Sequence, residues 1–318
     1  MADASFTPRN VLIFGATGTI GSFITKSIVS ARSEFNRVAI FTTTPAAGSS
    51  KEQFVEELKT KNVEIIIGDI ANEIDVVNAY KGIDTVVVAL GRGVIDAQIL
   101  LIKLAAASDS VKWYFPSEYG TDIKYGPASA TEKPHQQKLK VRAYLEEDEE
   151  IQKSGLKYTY VVTGPFADGY LRLVGSPEAG AWDVKTKTAW LLEKNNKVSL
   201  TTMKDTGDLV LAALRHPAAS FNKALKVNSF TTSPAEIQKE FERQTGGSWT
   251  IHESSLTKVR EVEEEAWATN RPFATGITLR RIWAEGGTLY EKRDNDVIGE
   301  PKTQTLEELV SENIKRSV

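Results

Sequence analysis

Three glycines spaced three apart close the stretch Val11-Leu-Ile-Phe-Gly15-Ala-Thr-Gly18-Thr-Ile-Gly21. Four apolar residues run straight into them and a helical pattern follows. Such a stretch could hold the pyrophosphate of a dinucleotide. Gly15 lets the chain turn sharply out of a buried strand. Gly18 leaves no side chain in the way of the phosphates, and Gly21 lets the next helix pack close to the strand. The helix N-terminus then offers free N–H groups and the positive end of its dipole. Thr17, Thr19 and Ile20 fill the turn between the glycines. Strand–helix turns also use glycine for purely structural reasons. A buried-type strand before and a helix after are the context that favours cofactor binding.

A second stretch bears on which dinucleotide. Nucleotide-binding folds that take NAD usually end their second strand on Asp or Glu, which holds the adenosine ribose hydroxyls. From Phe35 to Lys51 this chain has no acidic residue; it has Thr42, Thr43 and Thr44, then Ser49, Ser50 and Lys51. An acid there would repel a 2′-phosphate, whereas hydroxyls and a lysine suit one. The stretch favours NADP over NAD, against the alternative of a solvated polar loop.

The elements that position these residues follow from periodicity. Strands are expected at Val11–Phe14, Val38–Phe41, Val63–Ile67, Thr85–Leu90, Val111–Phe115 and Tyr158–Val162. Helices are expected between them at Ser22–Ala31, Lys51–Thr60, Ile74–Tyr80, Val94–Ala107 and Gln136–Ile151, with a polar loop over Thr121–Pro134. Strands alternating with helices imply right-handed crossovers and an α/β fold, a Rossmann-type doubly wound parallel sheet. Ligands then sit beyond the carboxyl ends of the strands. That places Gly15–Gly21, Thr42–Thr44, Ala89–Gly93 (with Leu90 and Gly91) and Pro116–Gly120 on one rim.

Beyond Gly164-Pro165 the alternation falters. A short strand at Val198–Thr201, a helix at Asp208–Arg215 and a strand at Lys226–Asn228 are expected, then helices at Pro234–Thr245, Thr257–Ala268 and Leu306–Arg316. We expect residues 1–166 to form the nucleotide-binding domain, with 197–230 returning to it. Residues 167–196 and 231–318 would form a smaller, mostly C-terminal substrate lobe. Tyr170, Trp182, Trp190, Trp267 and Phe273 are its candidate aromatic wall, against the alternative that they fill its core.

The composition excludes several classes. The 318 residues carry a formal net charge of -3, so there is no basic excess to attract nucleic acid or an anionic membrane. No cysteine is present, which excludes disulfides and thiolate metal sites and suits a cytoplasmic protein. His135, His216 and His252 have no paired spacing, so no metal is expected. Met1–Pro8 lacks a basic and then an apolar region, and no apolar run approaches the ~20 residues of a membrane span.

The order of these pieces resembles the NmrA-like branch of the atypical short-chain dehydrogenases, and within it the isoflavone reductase and phenylcoumaran benzylic ether reductase group. The glycine turn matches, as do Tyr158-Thr-Tyr-Val and, most specifically, Val111-Lys-Trp-Tyr-Phe-Pro-Ser-Glu-Tyr-Gly120. Gln137-Lys-Leu-Lys-Val-Arg142 matches the helix bearing the family's active-site lysine, which falls on Lys138. The resemblance implies NADP(H), with Lys51 on its phosphate and Pro165 and Phe166 against the nicotinamide. The arginine that the family places after its second strand is Thr42 here. Pro134 stands four residues before Lys138, so the Tyr-x-x-x-Lys pair of ordinary short-chain dehydrogenases is absent, as it is in this group.

The resemblance implies an NADPH-dependent reductase of a small aromatic or phenolic metabolite, monomeric or homodimeric, with Lys138 as general acid or base. Partial burial would bring its pKa towards the working range. Ser117 is expected to contact the cofactor or substrate and Glu118 to be an orienting group on the substrate side, against the alternative for each of a structural hydrogen bond in the turn. Tyr119 is a further candidate substrate contact. His135, one turn before Lys138, is either a proton-transfer aid or a polar helix start. The alternative function is a non-catalytic dinucleotide sensor acting through a protein partner.

Overall fold

The computed structural model describes residues 6–317; Met1–Ser5, most of the stretch read for a leader, and Val318 lie outside the described residues. The chain begins with β1 (Asn10–Phe14), α1 (Thr19–Ser30), β2 (Arg37–Thr42), α2 (Ser50–Thr60), β3 (Glu64–Ile67), α3 (Glu73–Tyr80) and β4 (Thr85–Val88). Then come α4 (Gln98–Ala106), β5 (Trp113–Phe115), α5 (Gln136–Glu147), α6 (Glu149–Ser154), β6 (Lys157–Val162) and α7 (Ala167–Tyr170). Next are β7 (Ala181–Asp183), β8 (Thr188–Leu192), β9 (Val198–Leu200), α8 (Met203–Arg215), α9 (Pro217–Ser220), β10 (Lys223–Lys226) and β11 (Phe230–Thr232). The chain closes with α10 (Pro234–Thr245), β12 (Thr250–Ser254), α11 (Leu256–Ala268), α12 (Ala274–Ala284) and α13 (Leu306–Ser317).

Seven strands form a parallel sheet in the order β10-β6-β5-β4-β1-β2-β3. Successive side chains of a strand point to opposite faces. Val11 and Ile13 pack into the core with α1, α2 and α8, while Leu12 and Phe14 pack into the core with α3, α4 and α5. A strand covered on both sides must be apolar throughout, which is why β1 reads as an unbroken run. Strand order reverses between β1 and β4, and a crevice opens there at their carboxyl ends.

The glycine turn occupies that crevice. Gly15 has φ +71°, and a Cβ there would lie 2.4 Å from the Ala89 carbonyl oxygen. A Cβ on Gly21 would lie 2.0 Å from the Gly15 carbonyl oxygen. Both glycines therefore let β1, β4 and α1 approach closely, and any side chain would force them apart.

The remaining elements build a second layer of sheet and helix. β12, β8 and β7 form a three-stranded sheet, and β11 and β9 an antiparallel pair. Their core holds Tyr170, Trp182, Phe241, Trp249 and Leu309. Among the described residues no helix is long and apolar enough to cross a membrane.

Several boundaries differ from the periodicity. The expected Gln136–Ile151 helix breaks at Asp148, whose carboxylate accepts from the Glu150 and Ile151 N–H groups and so starts α6 afresh. The Asp208–Arg215 helix begins earlier, at Met203, because the Thr202 hydroxyl accepts from the Asp205 N–H. The strand expected at Lys226–Asn228 runs over Lys223–Lys226, where it pairs with β6. α12 and the three-stranded sheet fall where no regular element was expected.

Candidate active site

Two adjoining cavities open at the carboxyl end of the sheet. The outer one, about 170 Å³, is walled by Ile20, Leu90, Gly91, Ser117 and Gln137 among others. The inner one, about 180 Å³, is walled by Gly120, Thr121, His135, Gly164, Leu279 and Trp283 among others. Arg92, Tyr119, Pro134, Lys138 and Phe166 border both. The outer cavity thus lies towards the glycine turn and the inner one towards α12.

Lys138 stands at the junction of the two, on the first turn and a half of α5. Its Nζ donates to the Glu118 carbonyl oxygen at 2.8 Å. Burial lowers its pKa to about 8, with Arg92 and Arg142 pushing the same way and Glu118 opposing. Four residues on, Arg142 lies on the same face of the helix. Its guanidinium, 2% exposed, bonds both carboxylate oxygens of Glu118, Nε to Oε1 at 3.2 Å and Nη2 to Oε2 at 2.9 Å. One residue is therefore held at both ends, main chain by Lys138 and side chain by Arg142. The Glu118 carboxylate is spent on Arg142 inside the protein and does not line either cavity. This corrects its expected place on the substrate side: a buried carboxylate needs a partner, and Arg142 is that partner.

Ser117 fixes the wall on the side of the glycine turn. Its hydroxyl donates to the Leu90 carbonyl oxygen at 2.8 Å, and its N–H to Gln98 Oε1 at 2.8 Å. The ends of β4 and β5 are tied together through it. Pro165 lines the inner cavity and Phe166 both. Tyr119 is buried with a hydroxyl that has no hydrogen-bond partner. At the far end of the rim, Lys51 Nζ donates to Thr43 Oγ1 at 2.7 Å, so the hydroxyl run and the lysine meet. Thr42 itself is buried and Thr43 exposed. Thr17 is half-buried, Gly18 and Thr19 are exposed, and no side chain caps the N-terminus of α1.

No carboxylate side chain lines either cavity, while Arg92 and Lys138 border both. Arg92 follows β4 and donates to the Pro134 carbonyl oxygen at 2.8 Å. It was legible only as one residue of the rim segment Ala89–Gly93, with no sign that its side chain would reach the cavity. The local field favours an oxygen that gains negative charge.

The aromatic wall is a different set from the one expected. Tyr170 and Trp182 sit in the second core, ring centroids 6.2 Å apart, and neither lines either of the two cavities; their large apolar bodies fill the lobe instead. Trp190 stacks on His252 at 5.3 Å, Trp267 Nε1 donates to Thr278 Oγ1 at 2.9 Å, and Phe273 packs against a small third cluster. Leu279 and Trp283 of α12 take their place, with Trp283 Nε1 donating to Thr121 Oγ1 at 2.8 Å. The apolar spacing of Ala274, Ile277, Leu279 and Ile282 was the signal for this helix, obscured by Gly276. A Cβ on Gly276 would lie 2.3 Å from Val174 Cγ1, so the glycine serves packing.

A clasp holds α12 over the site. Arg281, 13% exposed, reaches Glu132 at 2.8 Å and Glu263 at 2.5 Å. Glu132 belongs to the segment that delivers Pro134 and His135. Replacing Arg281 by Ala strands two carboxylates in a largely buried place, and is expected to lower stability by about 3 kcal/mol in chemical denaturation.

The NmrA-like family model matches residues 7–265. An oxidoreductase of Aspergillus flavus, aprR, is 28% identical over 312 residues, covering 96% of this chain and 98% of its own. An isoflavone reductase of Pisum sativum is 28% identical over 253 residues, 76% of this chain and 77% of its own. The structure of a leucoanthocyanidin reductase–NADPH complex from Vitis vinifera superposes with a TM-score of 0.78 at 21% identity, covering 96% of this chain and 99% of that one. The last likeness is one of fold.

Proposed function

The chain belongs to the NmrA-like family, and from that premise we propose that it is an NADPH-dependent reductase of a small aromatic or phenolic metabolite, with Lys138 as the proton donor. The observation that carries the proposal is Lys138 at the junction of two cavities, its pKa brought down to about 8 by burial. The names of its relatives, an oxidoreductase and an isoflavone reductase, support the class of reaction and of acceptor.

The residues present fit the cofactor. The uncapped start of α1 and the exposed Gly18 suit a pyrophosphate, and Lys51 beside Thr43 suits a 2′-phosphate. Leu90, Gly91, Ser117, Pro165 and Phe166 would line the remainder. NADPH, when bound, supplies the hydride. Hydride addition to a carbon next to an oxygen or a conjugated acceptor leaves negative charge on that acceptor. Lys138 meets it with an ammonium that gives up its proton readily, and Arg92 adds a fixed positive charge on the same wall. Phe166, Leu279 and Trp283 exclude water and offer apolar surface to a flat substrate.

The first test is a fluorescence titration with NADPH and NADH. Lys51→Ala is expected to weaken NADPH binding about tenfold and leave NADH binding unchanged, as loss of one charge-assisted contact to phosphate requires. Equal loss for both cofactors would remove the 2′-phosphate assignment. Binding of NADPH with no oxidation on any phenolic, quinone or enone acceptor would favour the sensor reading.

A further inference from the structure

His135 carries a polar atom that proton donation by Lys138 leaves unused. The residue is 2% exposed and forms part of the wall of the inner cavity. Ser129 Oγ donates to the Ile123 carbonyl oxygen, so its only proton is committed. The 2.9 Å contact between Ser129 Oγ and His135 Nδ1 must then be an N–H donated by the ring. With the proton on Nδ1, a neutral imidazole keeps its lone pair on Nε2. The ring is neutral at pH 7, since burial, reinforced by Lys138 and Arg92, holds its pKa to about 4. Nε2 is buried and has no hydrogen-bond partner.

A buried acceptor without a donor destabilises the protein, and an apolar residue would fill the same space without that cost. Among the described residues no protein donor bonds Nε2. Lys138 Nζ is on the Glu118 carbonyl, Arg92 Nη1 on the Pro134 carbonyl and Trp283 Nε1 on Thr121. Two cations border this cavity, so it is already supplied with donors for an anionic oxygen; what His135 adds is an acceptor.

We propose that His135 Nε2 accepts a hydroxyl hydrogen of the substrate, so that the cavity selects a free hydroxyl over its O-alkyl ether. This rests on the reductase reading of the same site and adds a specificity determinant to it. No proton is transferred at this contact. A site that must satisfy a buried acceptor rejects an analogue lacking the donor, and in about 180 Å³ an added methyl group also competes for space.

The test uses full-length protein labelled with 15N-histidine and saturated with NADPH, with phenol and its methyl ether anisole as probes. Three histidines are present, and loss of one set of resonances in His135→Phe assigns that residue. Long-range 1H–15N spectra are expected to show His135 as the Nδ1–H tautomer at pH 7. Phenol should shift its Nε2 resonance and anisole should not. Phenol should bind about tenfold more tightly than anisole, the worth of one hydrogen bond to a buried acceptor. His135→Phe should bring the two affinities within about twofold, and His135→Gln, whose amide oxygen can accept, should restore part of the difference. An Nε2–H tautomer, or equal affinity for the two probes in the wild type, overturns the assignment even if the variants fail to fold. NADPH binding with no phenol response removes this inference alone. Absence of NADPH binding removes the reductase reading.

Discussion

Lys138→Met is expected to slow NADPH-dependent turnover about a thousandfold, the range of a lost general acid. NADPH affinity should stay within about twofold, because the methionine keeps the length and apolar stem of lysine while losing the ammonium. The hydrogen bond to the Glu118 carbonyl, 2.8 Å in the structure, disappears with it. Initial rates at saturating NADPH give the measurement. The pH dependence should separate a chemical from a structural loss. In the wild type the reductive rate should fall as pH rises through about 8, as the ammonium is lost. The variant should show no such limb. Linkage adds a second readout. The fold disfavours the charged form of this lysine, so its folded pKa lies below its unfolded value of 10.5. Its contribution to wild-type stability is therefore lost as pH falls from 10.5 towards 8, and Lys138→Met should remove that dependence.

Arg142→Leu is expected to cost about 4 kcal/mol of stability, because it leaves the Glu118 carboxylate buried with no counter-charge. Glu118 is 1% exposed, and both its oxygens are bound by Arg142. Asp122 also lies near the guanidinium, at 3.7 Å, but keeps Lys226 at 3.1 Å. The guanidinium also stacks over the Tyr160 ring, 4.3 Å from its centroid, and that contact is lost too. Urea denaturation of wild type, Arg142→Leu and the double variant Glu118→Leu/Arg142→Leu measures the effect. The double variant should recover much of the loss, since removing both partners leaves no isolated charge. A loss below about 1 kcal/mol would mean that water reaches Glu118.

The sheet and its rim were legible because their requirements are local. A parallel strand buried on both faces must be an apolar run, and Gly15 and Gly21 sit where a Cβ would strike backbone. Lys138 stood out only through family register, since spacing alone describes a charged helix, and its bond to the Glu118 carbonyl was not legible. The aromatic wall of the inner cavity was not legible. Tyr170 and Trp182 are indistinguishable in sequence from Trp283, and only the three-dimensional packing decides which aromatic faces a cavity and which fills a core. α12 was hidden by Gly276, a residue chosen for contact with Val174 at the cost of helix propensity. Asp148 split the α5–α6 pattern because its capping role looks like one more charge in an acidic run. His135 was visible as a residue but not as an oriented acceptor, since that property depends on the hydroxyl of Ser129 and the carbonyl of Ile123.

The most direct test of the reductase assignment is NADPH consumption followed at its nicotinamide absorbance, for wild type and Lys138→Met side by side. The acceptors are a panel of phenolic enones, quinones and benzylic ethers. At least one acceptor is expected to be reduced by the wild type, with one equivalent of NADPH oxidised per product and no turnover by the variant. NADPH binding with no consumption on the whole panel, or equal rates for both proteins, would contradict the assignment of Lys138 as the proton donor of a reductase.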